Sequence, residues 1–137
     1  MNIAFNLDHV FNNTASDVDN AYVLKTLLDT LVAINLTYVR RHHPVPLYES
    51  GVVYGRTSIW YPIPALYKMG FGDCKSLSAA LIAERLAKGE FAKPAFRFRN
   101  RKDGGKDFHV LVLTPQGYED PSAKLGMLTY RGNTCDY

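Results

Sequence analysis

The chain of 137 residues is long enough for one globular domain that buries most of its apolar surface. Hydrophobic residues make up 47% and charged residues 21% of the sequence, a balance that excludes an intrinsically disordered protein. The formal net charge of +3 is too small to indicate a nucleic-acid partner by itself. We therefore predict a single domain over residues 1–137 with no nucleic-acid partner.

Neither a membrane span nor a secretion signal is predicted. No stretch has the run of about 18 apolar residues that a membrane span needs. The first residues, MNIAFNLDHVFNN, contain neither a basic region nor a long apolar segment, so we expect no signal peptide, cytoplasmic synthesis and no membrane partner. The two cysteines are Cys74 and Cys135, and without a secretion signal a disulfide between them is the weaker interpretation.

The first half of the chain contains a predicted long helix and a long connection. From Val18 to about Arg41 apolar residues recur at three- and four-residue steps, which indicates an amphipathic helix. Ser16 or Asp17 can cap its beginning, and Pro44 ends it. The connection from Pro44 to Tyr61 is of a length that is usually functional or contains short strands. The segment ALYKMG that follows is predicted as a short apolar turn.

Two histidines, His42 and His43, fall in the last turn of the predicted helix. Adjacent residues on a helix point in different directions, and no further ligand type follows at a suitable spacing. Positive charge is favourable at a helix C-terminus, which accounts for both side chains. We therefore expect neither a metal ion nor another cofactor.

The stretch from Gly70 to Gly89, GFGDCKSLSAALIAERLAKG, is a glycine-containing turn that leads into one amphipathic helix. Cys74 stands at the first position of that helix, among unpaired backbone N–H groups and at the positive end of the helix dipole. Both effects favour the thiolate, which is the nucleophilic form of cysteine. Small side chains at Ala79, Ala80 and Ala83 would let a sheet pack close to the helix. Cys74 is the candidate nucleophile.

The second half of the chain carries the signals of an antiparallel sheet. Pro94 to Arg99 alternates between apolar and basic residues, and Phe108 to Leu113 is apolar on both faces, as expected for a covered strand. Turns are marked by Asp103-Gly104-Gly105 and by Pro115-Gln116-Gly117. Helices followed by a block of strands indicate an α+β fold, with the sheet packed on the central helix that starts at the cysteine.

A histidine and an aspartate in the predicted sheet are candidate partners of the cysteine. His109 shares a strand face with Leu111 and Leu113, and if that face packs on the cysteine helix, the imidazole can exchange a proton with the thiol. A strand running back from Gly117 would bring Asp120 beside His109, where it can fix the tautomer. The alternatives are a buried core histidine and an aspartate that caps a turn before proline.

Other side chains can complete the site. Glu119 is a competing partner for the histidine, although strand alternation points it the opposite way from the aspartate that follows it. The Cys74 backbone N–H is a natural oxyanion donor, and the indole of Trp60 or the phenol of Tyr61 is available as the second donor. Tyr61 and Asp73 are also candidate substrate-binding residues. The aromatic residues of this stretch fit equally well as a small apolar core under the loop.

Three segments, GDCKSLSAALIAERLAKG, DFHVLVLTPQG and YEDPS, resemble the core of the transglutaminase-like branch of the papain-like cysteine proteases. The resemblance covers Trp60 to Ser122, and LYESGVVYG, W-x-x-IP and EDPSAKLGM are similar to small transglutaminase-like proteins of bacteriophages. It implies a papain-like, transglutaminase-like fold. Cys74 would be the nucleophile, His109 the base and Asp120 the residue that orients the base. Trp60 would match the family's aromatic residue on the oxyanion side.

A Cys–His–Asp site performs acyl transfer through a thioester. The resemblance implies a cysteine peptidase or amidase that hydrolyses an amide bond, in a peptide or a peptidoglycan stem, during phage infection or assembly. Two other enzymes remain as hypotheses: a transglutaminase-type acyltransferase with an amine acceptor, and a modifier of small amine or thiol compounds. The non-enzymatic hypothesis is a virion component or binding module that retains the fold and contacts phage structural proteins.

Overall fold

The computed structural model describes residue 4, residues 16–104 and residues 106–127, in which helices are combined with an antiparallel sheet. In chain order the elements are α1 (Asp17–His42), a 3-10 turn (Leu47–Glu49), β1 (Val53–Tyr54), α2 (Ile63–Met69), β2 (Phe71–Gly72), α3 (Cys74–Ala87), β3 (Lys93–Asn100), β4 (Lys106–Thr114), β5 (Gly117–Glu119) and α4 (Pro121–Lys124). The α+β class predicted from the sequence is confirmed.

The larger sheet is antiparallel, with the strand order β3-β4-β5. β3 and β4 form the predicted hairpin, and β5 pairs with β4 only over Val112–Thr114. The edge of β4 at His109 and Val110 is therefore not covered by β5, and α3 contacts it there: Ser78 Oγ donates to the Val110 carbonyl at 3.2 Å. β1 and β2 form a separate two-stranded parallel ladder.

α1 begins and ends close to the predicted positions. Ser16 is the N-cap, and its Oγ accepts a hydrogen bond from the Asp19 N–H at 3.1 Å. The helix ends at His42, and His43 adopts the left-handed conformation with φ 46° directly before Pro44. Local capping chemistry therefore sets both ends of this helix.

The segment Val18–His42 of α1 is long and apolar enough to cross a membrane, with a mean hydropathy of 1.2 over its most apolar window. In this structure one face of α1 lies against α3 and contributes Leu28, Leu31 and Val32 to the hydrophobic core. A helix that packs in a protein core passes the same test of length and composition. This single helix is therefore a weak indication of a membrane span.

The segment ALYKMG, predicted as a turn, belongs to α2 instead. Pro64 lies in the first turn of α2, where its missing N–H costs nothing, and Gly70 forms the left-handed C-cap at φ 80°. The Ile63 N–H has no capping side chain from its own neighbourhood, and it donates at 2.9 Å to Oδ1 of the buried Asn35. The turn prediction is wrong because proline at a helix start gives the same sequence signal as proline in a loop.

α3 is the central helix of the domain, buried from Cys74 to Ala83. The three small residues singled out in the sequence, Ala79, Ala80 and Ala83, are each at most 1% exposed. Their side chains let α1 and β4 approach the helix axis closely. The predicted packing of the sheet on this helix is confirmed by the contacts between α3 and β4.

Both faces of β4 are buried, and Val110 and Val112 share the face opposite to His109. Val110 and Val112 belong to the hydrophobic cluster around α3, whereas Leu111 does not, although it is only 2% exposed. Successive residues of a strand point to opposite faces, so His109 and Leu111 lie on the other side. α3 meets β4 at Val110, whose side chain belongs to this cluster and whose carbonyl accepts from Ser78 Oγ. The expectation that the His109 face packs on the cysteine helix stays a prediction.

Gly72, at the end of β2, is a point of close approach between α2 and α3. A Cβ added there would lie 2.5 Å from Leu66 Cδ1 and 3.2 Å from Ser76 Cβ. We expect Gly72→Ala to lower the free energy of unfolding by roughly 1–3 kcal/mol, the usual cost of overpacking, as measured by chemical denaturation. Lys68→Ala, at an exposed position of α2, is the control, and equal stability of the two variants would contradict this packing.

Candidate active site

Cys74 is the first residue of α3, and Asp73 is its N-cap with extended backbone. The Asp73 carboxylate accepts hydrogen bonds from the N–H groups of Lys75, at 3.2 Å, and of Ser76. The Asp73 carbonyl accepts from the Leu77 N–H at 3.0 Å. Asp73 thus accepts hydrogen bonds from the backbone N–H groups that follow Cys74, and not from the Cys74 N–H itself. The role of the Cys74 N–H as an oxyanion donor stays a prediction.

The Cys74 thiol is buried, with 8% of the residue exposed. Burial raises the pKa of the thiol to about 12, and the negative charge of Asp73 acts in the same direction. A hydrogen bond from the Val110 N–H and the positive charge of Lys75 lower this pKa but do not outweigh desolvation. The helix N-terminus therefore does not hold Cys74 as a thiolate, contrary to the expectation from the sequence. A base has to remove the proton.

His109 and Asp120 lie together, where the sequence places them. His109 Nε2 is 2.8 Å from Asp120 Oδ2, and His109 is only 1% exposed. A carboxylate can only accept, so an ionised Asp120 requires the hydrogen on Nε2. In the neutral ring this leaves the lone pair on Nδ1, which is then the nitrogen that can take up a proton. His109 is thus a buried histidine whose tautomer is fixed by a carboxylate.

Asp120 is at the same time the N-cap of α4. Its Oδ1 accepts a hydrogen bond from the Ala123 N–H at 3.2 Å, and Pro121 occupies the first turn of the helix. The alternative interpretation of Asp120, as a residue that caps the backbone before proline, is therefore also correct. α4 was not predicted, although an aspartate followed by proline is the usual signal for a helix start.

Val110 connects the candidate nucleophile with the candidate base. Its N–H hydrogen-bonds the Cys74 sulfur, and its carbonyl accepts a hydrogen bond from Ser78 Oγ at 3.2 Å. Cys74 and Ser78 are about one turn apart on the same face of α3. Because Val110 directly follows His109 in β4, these two contacts fix the first turn of α3 next to the histidine.

Glu119, the competing partner predicted for the histidine, is engaged elsewhere. Its carboxylate accepts hydrogen bonds from Arg85 Nη2 at 2.9 and 3.1 Å, Tyr48 Oη at 2.6 Å and Lys124 Nζ at 3.2 Å. Burial acts to raise the pKa of Glu119, but these hydrogen bonds and positive charges outweigh it and the pKa is lowered. Glu119 therefore anchors the end of β5 from which Asp120 extends toward the histidine.

Cys74 opens onto a cleft of about 510 Å³. Its walls include Tyr54, Arg56, Thr57, Asp73, Asp107 and Phe108. A smaller apolar pocket of about 240 Å³ lies beside it, between Trp60 and the α1 residues Val23, Leu24 and Leu27. The two spaces share Ser58, Lys75 and Phe108 as lining residues, so a molecule seated in the cleft can extend into the pocket.

The residues predicted to contact the substrate or the oxyanion lie in three places: the cleft, the apolar pocket and the hydrophobic core. Trp60 lines the apolar pocket, with Lys75 Nζ 5.7 Å from its ring centroid, and it does not line the cleft. Tyr61 packs edge-on against Phe71 at 6.1 Å between ring centroids and contacts the hydrophobic core. Asp73 lines the cleft, but its carboxylate is occupied by the helix cap and by Lys75. The core interpretation therefore describes Tyr61 better than the substrate-binding one.

Lys75 is the residue of this site that sequence reasoning missed. Its side chain is only 5% exposed, its ammonium pairs with the Asp73 carboxylate, and it donates to the Thr57 carbonyl at 2.9 Å. The signal that could have revealed it is the sequence Asp-Cys-Lys, which places opposite charges on both sides of the candidate nucleophile. Helix periodicity alone does not distinguish a buried lysine from an exposed one.

Within the described part of the chain, no group of three His, Cys, Asp or Glu side chains is arranged to hold a metal ion. Cys74 carries a free thiol. Cys135 lies outside the described residues, so the expectation about a disulfide stays a prediction.

Comparisons of this chain with models of known protein families, with curated proteins and with solved structures give no match. The chemistry that this site supports is therefore argued from its own geometry.

The raised pKa of Cys74 predicts a loss of stability in alkali. Above about pH 9 the unfolded chain releases a thiol proton that the folded chain retains up to about pH 12, so unfolding becomes easier as the pH rises through this window. The loss is at most ~1.4 kcal/mol per pH unit. We expect the free energy of unfolding to fall less steeply between about pH 9 and pH 11 in Cys74→Ser than in wild type.

Denaturant titrations at several pH values measure this difference. Tyr48 and Tyr67, whose pKa values burial also raises, contribute equally to both proteins and cancel in the comparison. Parallel pH profiles for the two proteins would contradict a buried, protonated Cys74.

Proposed function

We propose that the protein is a cysteine-dependent enzyme that hydrolyses an amide bond through a thioester, with Cys74, His109 and Asp120 as catalytic residues. The observation that carries this proposal is the 2.8 Å hydrogen bond between His109 Nε2 and Asp120 Oδ2, next to a buried thiol at a helix start. An imidazole oriented by a carboxylate is the base that activates a cysteine in acyl transfer. The residue types and their chain order also support membership in the transglutaminase-like branch of the papain-like proteases.

In the first half of the proposed reaction, His109 Nδ1 takes the proton of the Cys74 thiol while the sulfur attacks the carbonyl carbon. Burial raises the pKa of the thiol to about 12, which supports a transfer of its proton to His109 as the sulfur attacks. The Cys74 N–H at the start of α3 can stabilise the negative oxygen that forms. The carbon–nitrogen bond then breaks, the amine leaves with the proton from His109, and a thioester remains on Cys74.

In the second half, His109 takes a proton from a water molecule that attacks the thioester. The carbon–sulfur bond breaks, a carboxylic acid is released, and the proton returns to the Cys74 sulfur. An amine in place of water would give a transglutaminase reaction with the same residues. The cleft beside Cys74 is open to solvent, which supports water as the acceptor.

The apolar pocket beside the cleft supports a peptide substrate with a large apolar side chain near the scissile bond. Its walls are formed by Val23, Leu24 and Leu27 together with Trp60. Peptidoglycan stems consist mainly of small and charged residues, which gain little from such a pocket. Between the two substrate classes indicated by the sequence, we therefore propose a peptide or protein.

Replacement of the proposed catalytic residues tests the reaction directly. We expect Cys74→Ala to abolish hydrolysis of a peptide library and His109→Ala to reduce it by roughly 10²-fold or more, the usual contribution of general acid–base catalysis. Product formation is measured by mass spectrometry on peptide and peptidoglycan pools in parallel. Cys135→Ala, which removes the chain's other cysteine, is the matched control. A folded wild type that hydrolyses neither pool would overturn the proposal and support the binding-module hypothesis.

Filling the apolar pocket tests the substrate class. We expect Leu27→Trp to lower kcat/KM roughly tenfold or more for peptides with leucine or phenylalanine next to the scissile bond, because the side chain loses its site. Peptides with glycine at that position should be hydrolysed as by wild type. Ile34→Trp, on the exposed face of α1, is the control. An equal effect on both peptide classes would show that the pocket does not hold the substrate.

A further inference from the structure

Two opposite charges lie on either side of Cys74 in the chain, and both are largely buried. The side chains of Asp73 and Lys75 are 15% and 5% exposed and form an ion pair. A buried charge is tolerated in a protein only when it is paired and hydrogen-bonded. Asp73 is accounted for as the N-cap of α3, but capping does not require a lysine at the second position of the helix.

The contacts of Lys75 exceed those of a simple ion pair. Its ammonium donates to the Thr57 carbonyl at 2.9 Å and lies 5.7 Å from the centre of the Trp60 ring. One ammonium thus contacts a carboxylate and a backbone carbonyl and lies within cation–π distance of an aromatic ring. Thr57 lines the cleft and Trp60 lines the apolar pocket. Through these contacts Lys75 connects one wall of each space with α3.

We propose that Lys75 is a positioning residue of the candidate active site, which neutralises Asp73 beside Cys74 and holds the Thr57–Trp60 segment against α3. The inference rests on the proposed role of Cys74 as nucleophile. Lys75 is not assigned a contact with substrate, because its donors are taken by protein groups. Its effect on Cys74 is electrostatic: the ammonium compensates a carboxylate that opposes formation of the thiolate.

This role predicts opposite effects from removing either charge. Asp73→Asn keeps a side chain that can cap α3 but removes the negative charge, which leaves the Lys75 ammonium to favour the thiolate. Lys75→Met keeps the length of the aliphatic stem but leaves the Asp73 carboxylate uncompensated beside the sulfur. A purely structural ion pair predicts effects in the same direction, because both substitutions break the same bond.

The other charged or titratable groups around Cys74 stay the same in these variants. His109 and Asp120 face it from the sheet side. Arg56 and Asp107 line the cleft, and Asp107 accepts hydrogen bonds from two arginines of the β3–β4 hairpin. A difference between the two variants therefore reports the Asp73–Lys75 pair.

The experiment is the rate of iodoacetamide alkylation of Cys74 as a function of pH, in the full chain carrying Cys135→Ala. At a fixed pH below the thiol pKa we expect Asp73→Asn to react about tenfold faster and Lys75→Met about tenfold slower than the parent, corresponding to pKa shifts of roughly one unit in opposite directions. The double variant Asp73→Asn/Lys75→Met should lie between the two. Lys75→Arg, which keeps the charge, should react close to the parent rate.

The double variant and Lys75→Arg keep the test valid if Lys75→Met does not fold, since neither leaves an uncompensated carboxylate. If Lys75→Met folds, a change in the same direction as that of Asp73→Asn would overturn the inference. If it does not fold, a double variant that reacts as fast as Asp73→Asn would overturn it. Alkylation does not require turnover, so a failure of the proposed hydrolysis is seen separately. Opposite shifts with no amide cleavage would refute the enzyme and retain only the electrostatic effect of Lys75 on the Cys74 thiol.

Discussion

The burial of α3 from Cys74 to Ala83 is the constraint on which the rest of the structure depends. A buried polar group without a partner costs about 1–3 kcal/mol, so the polar side chains in this stretch have to be satisfied by neighbouring segments. Ser76 Oγ accepts a hydrogen bond from a backbone N–H of the loop before α2. Ser78 Oγ donates to a carbonyl of β4, and the Lys75 ammonium donates to a carbonyl in the wall of the cleft. Each of these bonds fixes one part of the candidate site relative to the helix that begins at the cysteine.

The same burial decides how the thiol can react. A cysteine at an exposed helix start gains from the unpaired amides and the dipole, but here removal from water outweighs both effects. In the proposed reaction, the sulfur therefore depends on the histidine of the neighbouring strand to remove its proton. For the proposed nucleophile, burial keeps the thiol protonated in the cleft until a base takes its proton.

The sequence was informative for most elements whose structure is decided by local chemistry, with the short helices α2 and α4 as exceptions. Caps, turn residues and periodicity predicted α1, α3 and the β3–β4 hairpin, and the turn at Gly117 placed Asp120 beside His109. It was uninformative where distant segments decide. Alternation shows which residues of β4 share a face, but not which face meets α3. Local periodicity also does not show that Trp60 lines the apolar pocket or that Lys75 is buried. The expectation that the helix start lowers the pKa of the thiol failed for the same reason, because desolvation is a property of the assembled fold.

The two oxygens of Asp120 have a chemical consequence for this position. One oxygen caps α4 and the other accepts from the imidazole, so both must act as acceptors at once. An asparagine of equal size offers one acceptor and one donor. With its NH₂ toward Ala123 the helix loses its cap. With its NH₂ toward His109 the imidazole must carry its hydrogen on Nδ1, the nitrogen that we propose as the base. Only a carboxylate therefore maintains the start of α4 together with the tautomer that has its hydrogen on Nε2, which couples the capping of α4 to the position of the histidine hydrogen.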